Sequence, residues 1–141
     1  MKHIKLTFLG LFLCIGIAIN VSAQESDRAL IEKTISYYLE GGTNNDFEML
    51  KKAFHKNATM KYIRNGAYQE VNAIDYFQTA IKPGPKQNRK TKITNIDITG
   101  YAASARLEID YPTSSFVDYM NLIKIDGEWK IVNKIFHRKT N

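Results

Sequence analysis

The sequence predicts an α+β domain in which helices near the N-terminus pack on one face of an antiparallel sheet. Apolar residues recur with helical spacing in the segments that precede Pro83, and they alternate with polar residues in the segments that follow it. The stretch from Phe116 to Phe136 places two apolar runs on either side of Asp126-Gly127, a dipeptide that favours a tight hairpin turn. Helices followed by antiparallel strands are typical of this fold class.

The first 23 residues predict a secretory signal peptide. Lys2 and Lys5 give a positive start, Leu6 to Ile19 is apolar, and Val21-Ser22-Ala23 has the small residues of a cleavage site. The apolar run is shorter than the roughly 20 residues that a membrane-spanning helix needs. We therefore expect cleavage after Ala23, export to the periplasm or the extracellular space, and no membrane association of the mature chain.

The mature chain, residues 24–141, has the length of one domain. The only cysteine, Cys14, would be removed with the signal peptide, which excludes a disulfide, a thiolate nucleophile or a cysteine metal site in the mature chain. The net charge of +6 falls to +4 without Lys2 and Lys5. The basic segment Lys82 to Lys92 could bind an anionic partner, but without interleaved aromatic residues it favours a solvated loop, and we expect no nucleic-acid binding.

Three segments before the basic loop have helical patterns. Ser26 to Glu40 carries one apolar stripe and ends at Gly41-Gly42. Asn45 to Glu48 has the spacing of a capping box and opens a second helix. Asn72 caps a third helix over Ala73 to Ile81.

The predicted strands begin with a small hairpin, Ala58 to Arg64 and Ala67 to Val71, which turns at Asn65-Gly66. Lys92 to Thr99 and Ala102 to Tyr111 alternate between apolar and polar residues and predict two longer strands. The hairpin at Asp126-Gly127 completes the sheet.

Counting back from the Asp126-Gly127 turn predicts that Met120 lies opposite Asn133 and Asp118 opposite Ile135. The face predicted to point inward holds Phe116, Asp118, Met120, Leu122, Ile131, Asn133, Ile135 and His137. The face predicted to point outward, because it carries lysines, holds Val117, Tyr119, Asn121, Ile123, Lys130, Val132, Lys134 and Phe136. A bulged turn would change the partners, but we expect each residue to keep its face.

This order of elements resembles the nuclear transport factor 2-like superfamily. Within it, FVDYMNLIKIDGEWKIVNKIF is similar to the exported bacterial branch labelled "putative lumazine-binding", a relative of the SnoaL-like proteins, most clearly at Asp118-Tyr119, Asp126-Gly127, Trp129 to Ile131 and Asn133-Lys134. The resemblance implies a cone, in which a strongly curved sheet wraps around the helices and leaves a pocket at its wide end, often in a dimer. The superfamily includes isomerases, dehydratases, cyclases and binding modules, so the resemblance does not assign a reaction.

Asp118 is the strongest candidate for an acid/base role. On the inner face its carboxylate must be paired, hydrogen-bonded or protonated, and it could serve as a general base or hold the sheet together. His55 and His137 could act as its acid/base partners, or they could cap a helix end and line a rim. No residue is assigned a catalytic role at this stage. The histidine spacing indicates no metal site, and without a glycine-rich phosphate loop no cofactor is expected.

Aromatic residues and the polar groups of the predicted inner face are the candidate ligand contacts. These predicted ligand-binding residues are Tyr38, Phe54, Tyr62, Phe77, Tyr111, Phe116, Asp118, Met120, Asn133 and Ile135.

Three functions remain open. The first is a binding module that holds a small, partly apolar molecule. The second is a cofactor-independent enzyme of the isomerase, dehydratase or cyclase type that uses Asp118. The third is a structural or interaction protein, most simply a homodimer, that acts through the outer face of Val117, Tyr119, Val132 and Phe136. The first two require a cavity of about 300 Å³ that touches Asp118.

Overall fold

The structure is a computed structural model that describes the backbone of residues 11–140 and the side chains of residues 27–140. Its elements, in chain order, are α1 (Leu11–Thr43), α2 (Phe47–Lys51), β1 (Phe54–Arg64), β2 (Ala67–Asn72), α3 (Ala73–Ala80), β3 (Lys90–Thr99), β4 (Ala102–Tyr111), β5 (Ser114–Ile125) and β6 (Glu128–Thr140). Residues 1–10 and the side chains up to residue 26 lie outside this description, so the predicted signal peptide stays a prediction.

The six strands form one curved, unclosed sheet in the order β2-β1-β6-β5-β4-β3. Neighbouring strands are antiparallel except β1 and β6, which run parallel. The helices pack on one face, which we call the inner face; the opposite face is the outer face. This architecture confirms the predicted α+β class with helices on a curved sheet.

Local sequence signals set the ends of the short helices and the tight turns. Asp46 caps α2 by accepting a hydrogen bond from the backbone N–H of Met49, and Asn72 caps α3 by accepting from two backbone N–H groups. Asp126 and Gly127 have φ angles of 50° and 83°, which a two-residue hairpin turn requires.

The β5–β6 register differs from the predicted one beyond the middle of the hairpin. Ile125 lies opposite Glu128 and Leu122 opposite Ile131, as counted, but Asn121 then lies opposite Asn133. Val132 is therefore an extra residue in β6, a β-bulge.

The bulge reverses the faces of the second half of β6, because a slip of one residue moves every later side chain to the other face. Lys134, predicted to point outward, is on the inner face and only 4% exposed. Phe136 also faces inward, where it contacts the ring of Phe116. Ile135, 46% exposed, and His137 lie on the outer face instead of the inner one. The faces predicted for residues 133–137 were therefore wrong, because the bulge lies inside the strand and not at its turn.

The core lies between α1 and the inner face, where Ile31, Ile35, Leu107 and Ile131 are completely buried. Thr34 and Asp27 of α1 form three hydrogen bonds with the last hairpin. Thr34 Oγ1 donates to the carbonyl of Trp129 at 2.9 Å. Asp27 Oδ1 accepts from Lys124 Nζ at 2.7 Å and from Trp129 Nε1 at 3.2 Å.

None of the helices in the described part of the chain has the length and apolar character to cross a bilayer.

Candidate functional site

A cavity of about 250 Å³ lies between α1, α3, the loop before β3 and the inner face of the sheet. Its volume is below the roughly 300 Å³ at which typical ligand pockets begin, and Asp118 is not among its lining residues. The cavity therefore does not meet the predicted requirement of about 300 Å³ in contact with Asp118. The lining residues are Tyr38, Gly42, Asn45, Met60, Tyr76, Phe77, Ala80, Ile81, Gln87, Arg89, Ile109, Tyr111, Phe116, Lys134 and Phe136.

Asp118 lies behind the cavity wall and is joined to the cavity by two of the lining residues. Its Oδ2 accepts a hydrogen bond of 2.7 Å from the hydroxyl of Tyr38. Its Oδ1 lies 2.8 Å from Nζ of Lys134, an ion pair in which both side chains are almost completely buried. Lys134 Nζ also donates to the Tyr38 hydroxyl oxygen at 3.0 Å. Asp118, Tyr38 and Lys134 therefore form a closed triangle of contacts, which we call the buried triad.

The two oxygens of the Asp118 carboxylate have different partners. Oδ2 accepts from the Tyr38 hydroxyl, whereas Oδ1 is held by the ion pair with the Lys134 ammonium. Oδ1 is therefore the oxygen placed to exchange a proton with Lys134.

Burial shifts the protonation equilibria of the two lining members of the triad. Desolvation lowers the pKa of Lys134 despite the opposing attraction of Asp118, and the nearby Arg89 cation lowers that pKa further. Desolvation and the Asp118 charge raise the pKa of Tyr38 well above its ordinary value. Tyr38 is therefore a hydrogen-bond donor at neutral pH, whereas the amine of Lys134 loses its proton more easily than an exposed lysine does.

Arg89 forms a second polar wall of the cavity. Its Nη2 donates to the carbonyl of Leu39 at 2.6 Å and its Nε to Thr43 Oγ1 at 2.8 Å, so the guanidinium caps the C-terminal end of α1. Its Nη1 donates to the hydroxyl oxygen of Tyr111 at 2.8 Å. Because that oxygen accepts from Arg89, the hydroxyl hydrogen of Tyr111 is available to a ligand acceptor.

The remaining walls are largely aromatic. Phe77 contacts Tyr38 and Tyr76 edge-on, with ring centroids 5.8 Å and 5.5 Å apart. Phe136 contacts Phe116 at 5.9 Å and stacks on Tyr62 at 4.8 Å. Such surfaces suit a flat or branched apolar group.

The structure brings some of the predicted ligand-binding residues to the cavity and leaves others away from it. Tyr38, Phe77, Tyr111 and Phe116 line it. Four do not line it. Phe54 and Met120 are buried in the core, and Tyr62 and Asp118 contact lining residues from behind or beside them. Two are on the outer face because of the bulge: Asn133 and Ile135.

The structure places His55 and His137 at positions that differ from the predicted ones. His55 lies in β1 and not at a helix end, and its Nδ1 accepts from the backbone N–H of Asn57 at 3.2 Å. His137 is exposed on the outer face opposite Val117. Neither contacts the buried triad. Within residues 27–140, no three His, Cys, Asp or Glu side chains are grouped so that they could hold a metal ion.

Lys134, Phe136 and Arg89 are the important lining residues that the sequence prediction missed. A regular alternation places Lys134 and Phe136 outward, and nothing in the residue types of β6 reveals the bulge. Arg89 is the only arginine in a lysine-rich loop. An arginine among lysines was a weak signal of a specific role, because a guanidinium can make several hydrogen bonds at once, as Arg89 does here.

Comparison with known proteins assigns the family. Residues 26–137 match the family described as "Putative lumazine-binding". The chain belongs to this family. Its structural relatives place the family in the nuclear transport factor 2-like superfamily, as the hairpin sequence predicted.

Two solved structures and one curated protein illustrate the relationship. A nuclear transport factor 2-like protein of unknown function from Shewanella baltica OS155 is 29% identical, with a TM-score of 0.76 over 82% of this chain and 96% of that one. A similar protein of unknown function from Methylobacillus flagellatus KT is 34% identical, with a TM-score of 0.72 over 81% and 93%. The aldolase FrzH from Cladobotryum sp is 24% identical over 120 residues, which cover 84% of this chain and 94% of FrzH.

Proposed function

We propose that the chain binds a small, partly apolar molecule in the cavity, with an electron-rich oxygen of that molecule directed at the polar walls. The observation that carries this proposal is the sign of the groups that face the interior. Arg89 and Lys134 are the charged lining residues, and the Asp118 carboxylate behind them balances only one positive charge. A carboxylate, enolate or phenolate oxygen would complete the site.

The apolar part of the ligand would contact the aromatic walls. The name of the family suggests lumazine, a flat fused two-ring compound with carbonyl oxygens, as one compound to test. The lining residues suit flat compounds with carbonyl oxygens in general and do not single out lumazine among them.

Native mass spectrometry of protein purified from its own host tests the proposal. We expect a retained small molecule that is lost in Arg89→Gln and kept in Lys139→Gln, a matched change at an exposed lysine. The proposal fails if no small molecule is retained and neither lumazine nor small aromatic acids compete for the cavity in ligand-observed NMR.

The second candidate is a cofactor-independent enzyme that moves protons on a carbonyl compound. It is favoured by the buried triad, which brings a carboxylate, an amine and a phenol together at the cavity, and by the similarity to an aldolase. Its test is exchange of the α-hydrogens of phenylpyruvate with D₂O, followed by NMR. Tyr38→Phe keeps the ring and should slow enzyme-dependent exchange, whereas an equal rate in both proteins would contradict an enzymatic role for the triad.

We also propose export after cleavage at Ala23 and self-association through the outer face. The export proposal is supported by the layout of residues 1–23, and the intact mass of the mature protein tests it, since the chain should begin at Gln24. The outer face presents Tyr119 opposite Ile135, about half exposed each. Tyr119 belongs to the predicted contact surface, and Ile135 replaces Phe136 in it.

A further inference from the structure

The amine of Lys134 is buried at the cavity wall beside a carboxylate and a phenol, an arrangement that noncovalent binding does not need. It is held at the cavity wall between Asp118 Oδ1 at 2.8 Å and the Tyr38 hydroxyl at 3.0 Å, and the centroid of the Phe136 ring is 4.4 Å away. A lysine that only neutralised Asp118 could be completely enclosed, but Lys134 is among the lining residues. Lys134 thus belongs to the cavity wall although its side chain is only 5% exposed, and its nitrogen has a proton acceptor in Asp118.

We propose that Lys134 forms a Schiff base with a ligand that carries an aldehyde or ketone group, and that Arg89 and Tyr111 bind an acidic group on the same ligand. This inference rests on the proposed binding of a small molecule in the cavity and names its class, a small oxo acid. The geometry assigns the nucleophile to Lys134 because it is the amine that lines the cavity.

The proton transfers balance within the triad. Asp118 Oδ1, which lies 2.8 Å from Nζ, takes one proton from the Lys134 ammonium. The neutral nitrogen adds to the carbonyl carbon, the carbonyl π electrons move to oxygen, and a proton moves from nitrogen to that oxygen to give a carbinolamine. The hydroxyl group then leaves as water with the proton held by Asp118. The products are one water molecule and a protonated imine, which replaces the ammonium as the partner of the Asp118 carboxylate.

The surrounding charges favour this sequence. Desolvation and the Arg89 cation lower the pKa of Lys134, which increases the share of the nucleophilic amine. The titratable and charged groups that face it are Asp118, Tyr38, Arg89 and Tyr111. Tyr38 stays protonated because its pKa is raised, and it can stabilise the carbinolamine oxygen.

Borohydride trapping tests the proposal with phenylpyruvate and the smaller 2-oxobutanoate as probes. The full-length protein is incubated with each probe, reduced, digested and mapped by mass spectrometry. We expect a reduced adduct on Lys134 that is lost in Lys134→Arg, a variant that keeps the positive charge beside Asp118. Lys130→Arg, a matched change in the same strand, should keep the adduct. Phenyllactate, which has a hydroxyl group in place of the ketone, should give none.

A parallel binding measurement separates the failure of this inference from the failure of the proposed function. If the oxo acids bind by calorimetry and no adduct forms on Lys134, or adducts form only on exposed lysines, the Schiff base is wrong and binding stands. If phenylpyruvate, 2-oxobutanoate and phenyllactate neither bind nor react, both the Schiff base and the binding of small acids are wrong. Arg89→Gln should lower the adduct yield at limiting probe concentration and leave the modified residue unchanged.

Discussion

Lys134 forms its ion pair with Asp118 diagonally across the β5–β6 ladder. The residue directly opposite Lys134 is Met120, and Asp118 lies opposite Phe136. A diagonal partner is farther away than a direct one, so a long side chain is needed to reach it. The Lys134 side chain therefore extends along the inner face to bring its amine to the carboxylate.

Breaking this ion pair should destabilise the fold strongly. Lys134→Met leaves the Asp118 carboxylate buried without its partner, which costs about 3–5 kcal/mol of unfolding free energy. Lys130→Met in the same strand removes a surface pair with Glu128 and should cost less than about 1 kcal/mol. Urea unfolding of both variants measures the difference. Equal effects would show that the buried pair contributes no more than a surface pair.

Replacing the whole triad should restore stability. Burial lowers the pKa of Lys134 even beside Asp118, so desolvation outweighs the attraction between the two charges. The triple variant Lys134→Met, Asp118→Leu, Tyr38→Phe removes both charges and the hydroxyl that depends on them. It should unfold at a urea concentration similar to or higher than that of the original protein. If the triple variant is as unstable as Lys134→Met, the triad stabilises the fold overall.

The adjacent glycines at the end of α1 should respond differently to alanine. At Gly42 a Cβ atom would lie 2.5 Å from Arg89 Nη2, the end of a flexible side chain, so Gly42→Ala should displace the guanidinium with little loss of stability. At Gly41 it would lie 2.5 Å from the backbone nitrogen of Leu50, which cannot move without shifting α2. Gly41→Ala should therefore cost about 1–3 kcal/mol.

Thermal unfolding and binding of a small aromatic acid distinguish these two effects. Gly42→Ala should keep its thermal midpoint and lose affinity for the acid, whereas Gly41→Ala should lower the midpoint. Unchanged affinity in Gly42→Ala would argue against a role of Arg89 in holding the ligand.

The only tryptophan should report the protonation of Asp27. The hydrogen bond from Lys124, followed by that from Trp129, lowers the pKa of Asp27. A carboxyl group with a lowered pKa in the folded state adds stability above its unfolded pKa, and that stability is lost as the pH falls through its folded value. Acid titration of Trp129 fluorescence should therefore show a transition at lower pH in the original protein than in Lys124→Met.

Asp27→Asn is the control for this titration, because it should remove the transition while Trp129 stays buried. A transition that persists in Asp27→Asn would belong to another group, and the assignment to Asp27 would be wrong.

The proposed self-association should depend on the centre of the outer face. Ile135→Glu places a charge beside Tyr119 and should convert a dimer into monomers in sedimentation velocity. Tyr101→Glu, at the exposed β3–β4 turn, should leave the mass unchanged. A dimer that persists in Ile135→Glu would have to use another surface, and a monomer in the original protein would exclude the proposal.

The sequence predicted the elements better than it predicted the site because element signals are local. Gly127 and Gly66 mark their turns through positive φ angles, and Asn72 marks a helix start through its own side chain. Each of these signals acts within a few residues, so it can be read without the tertiary structure.

The cavity depends on contacts between distant segments. The position of Lys134 follows from the bulge at Val132, and the role of Arg89 follows from the approach of its loop to the end of α1, 50 residues earlier at Leu39. Neither relationship leaves a periodic pattern in the chain. Asp118 could be identified because it is a single acidic residue on an otherwise apolar strand face, whereas its lysine partner required the three-dimensional structure.

The bulge makes the lining of the cavity a matter of backbone register as well as of residue identity. If Val132 were paired in a uniform ladder, the same sequence would present Asn133 and Ile135 to the cavity and turn Lys134 and Phe136 toward solvent. Deletion of Val132 would instead close the bulge and keep Lys134 and Phe136 on the inner face. A relative of this chain can therefore lack the bulge and still present an amine and a ring to the cavity, provided that it also lacks the extra residue.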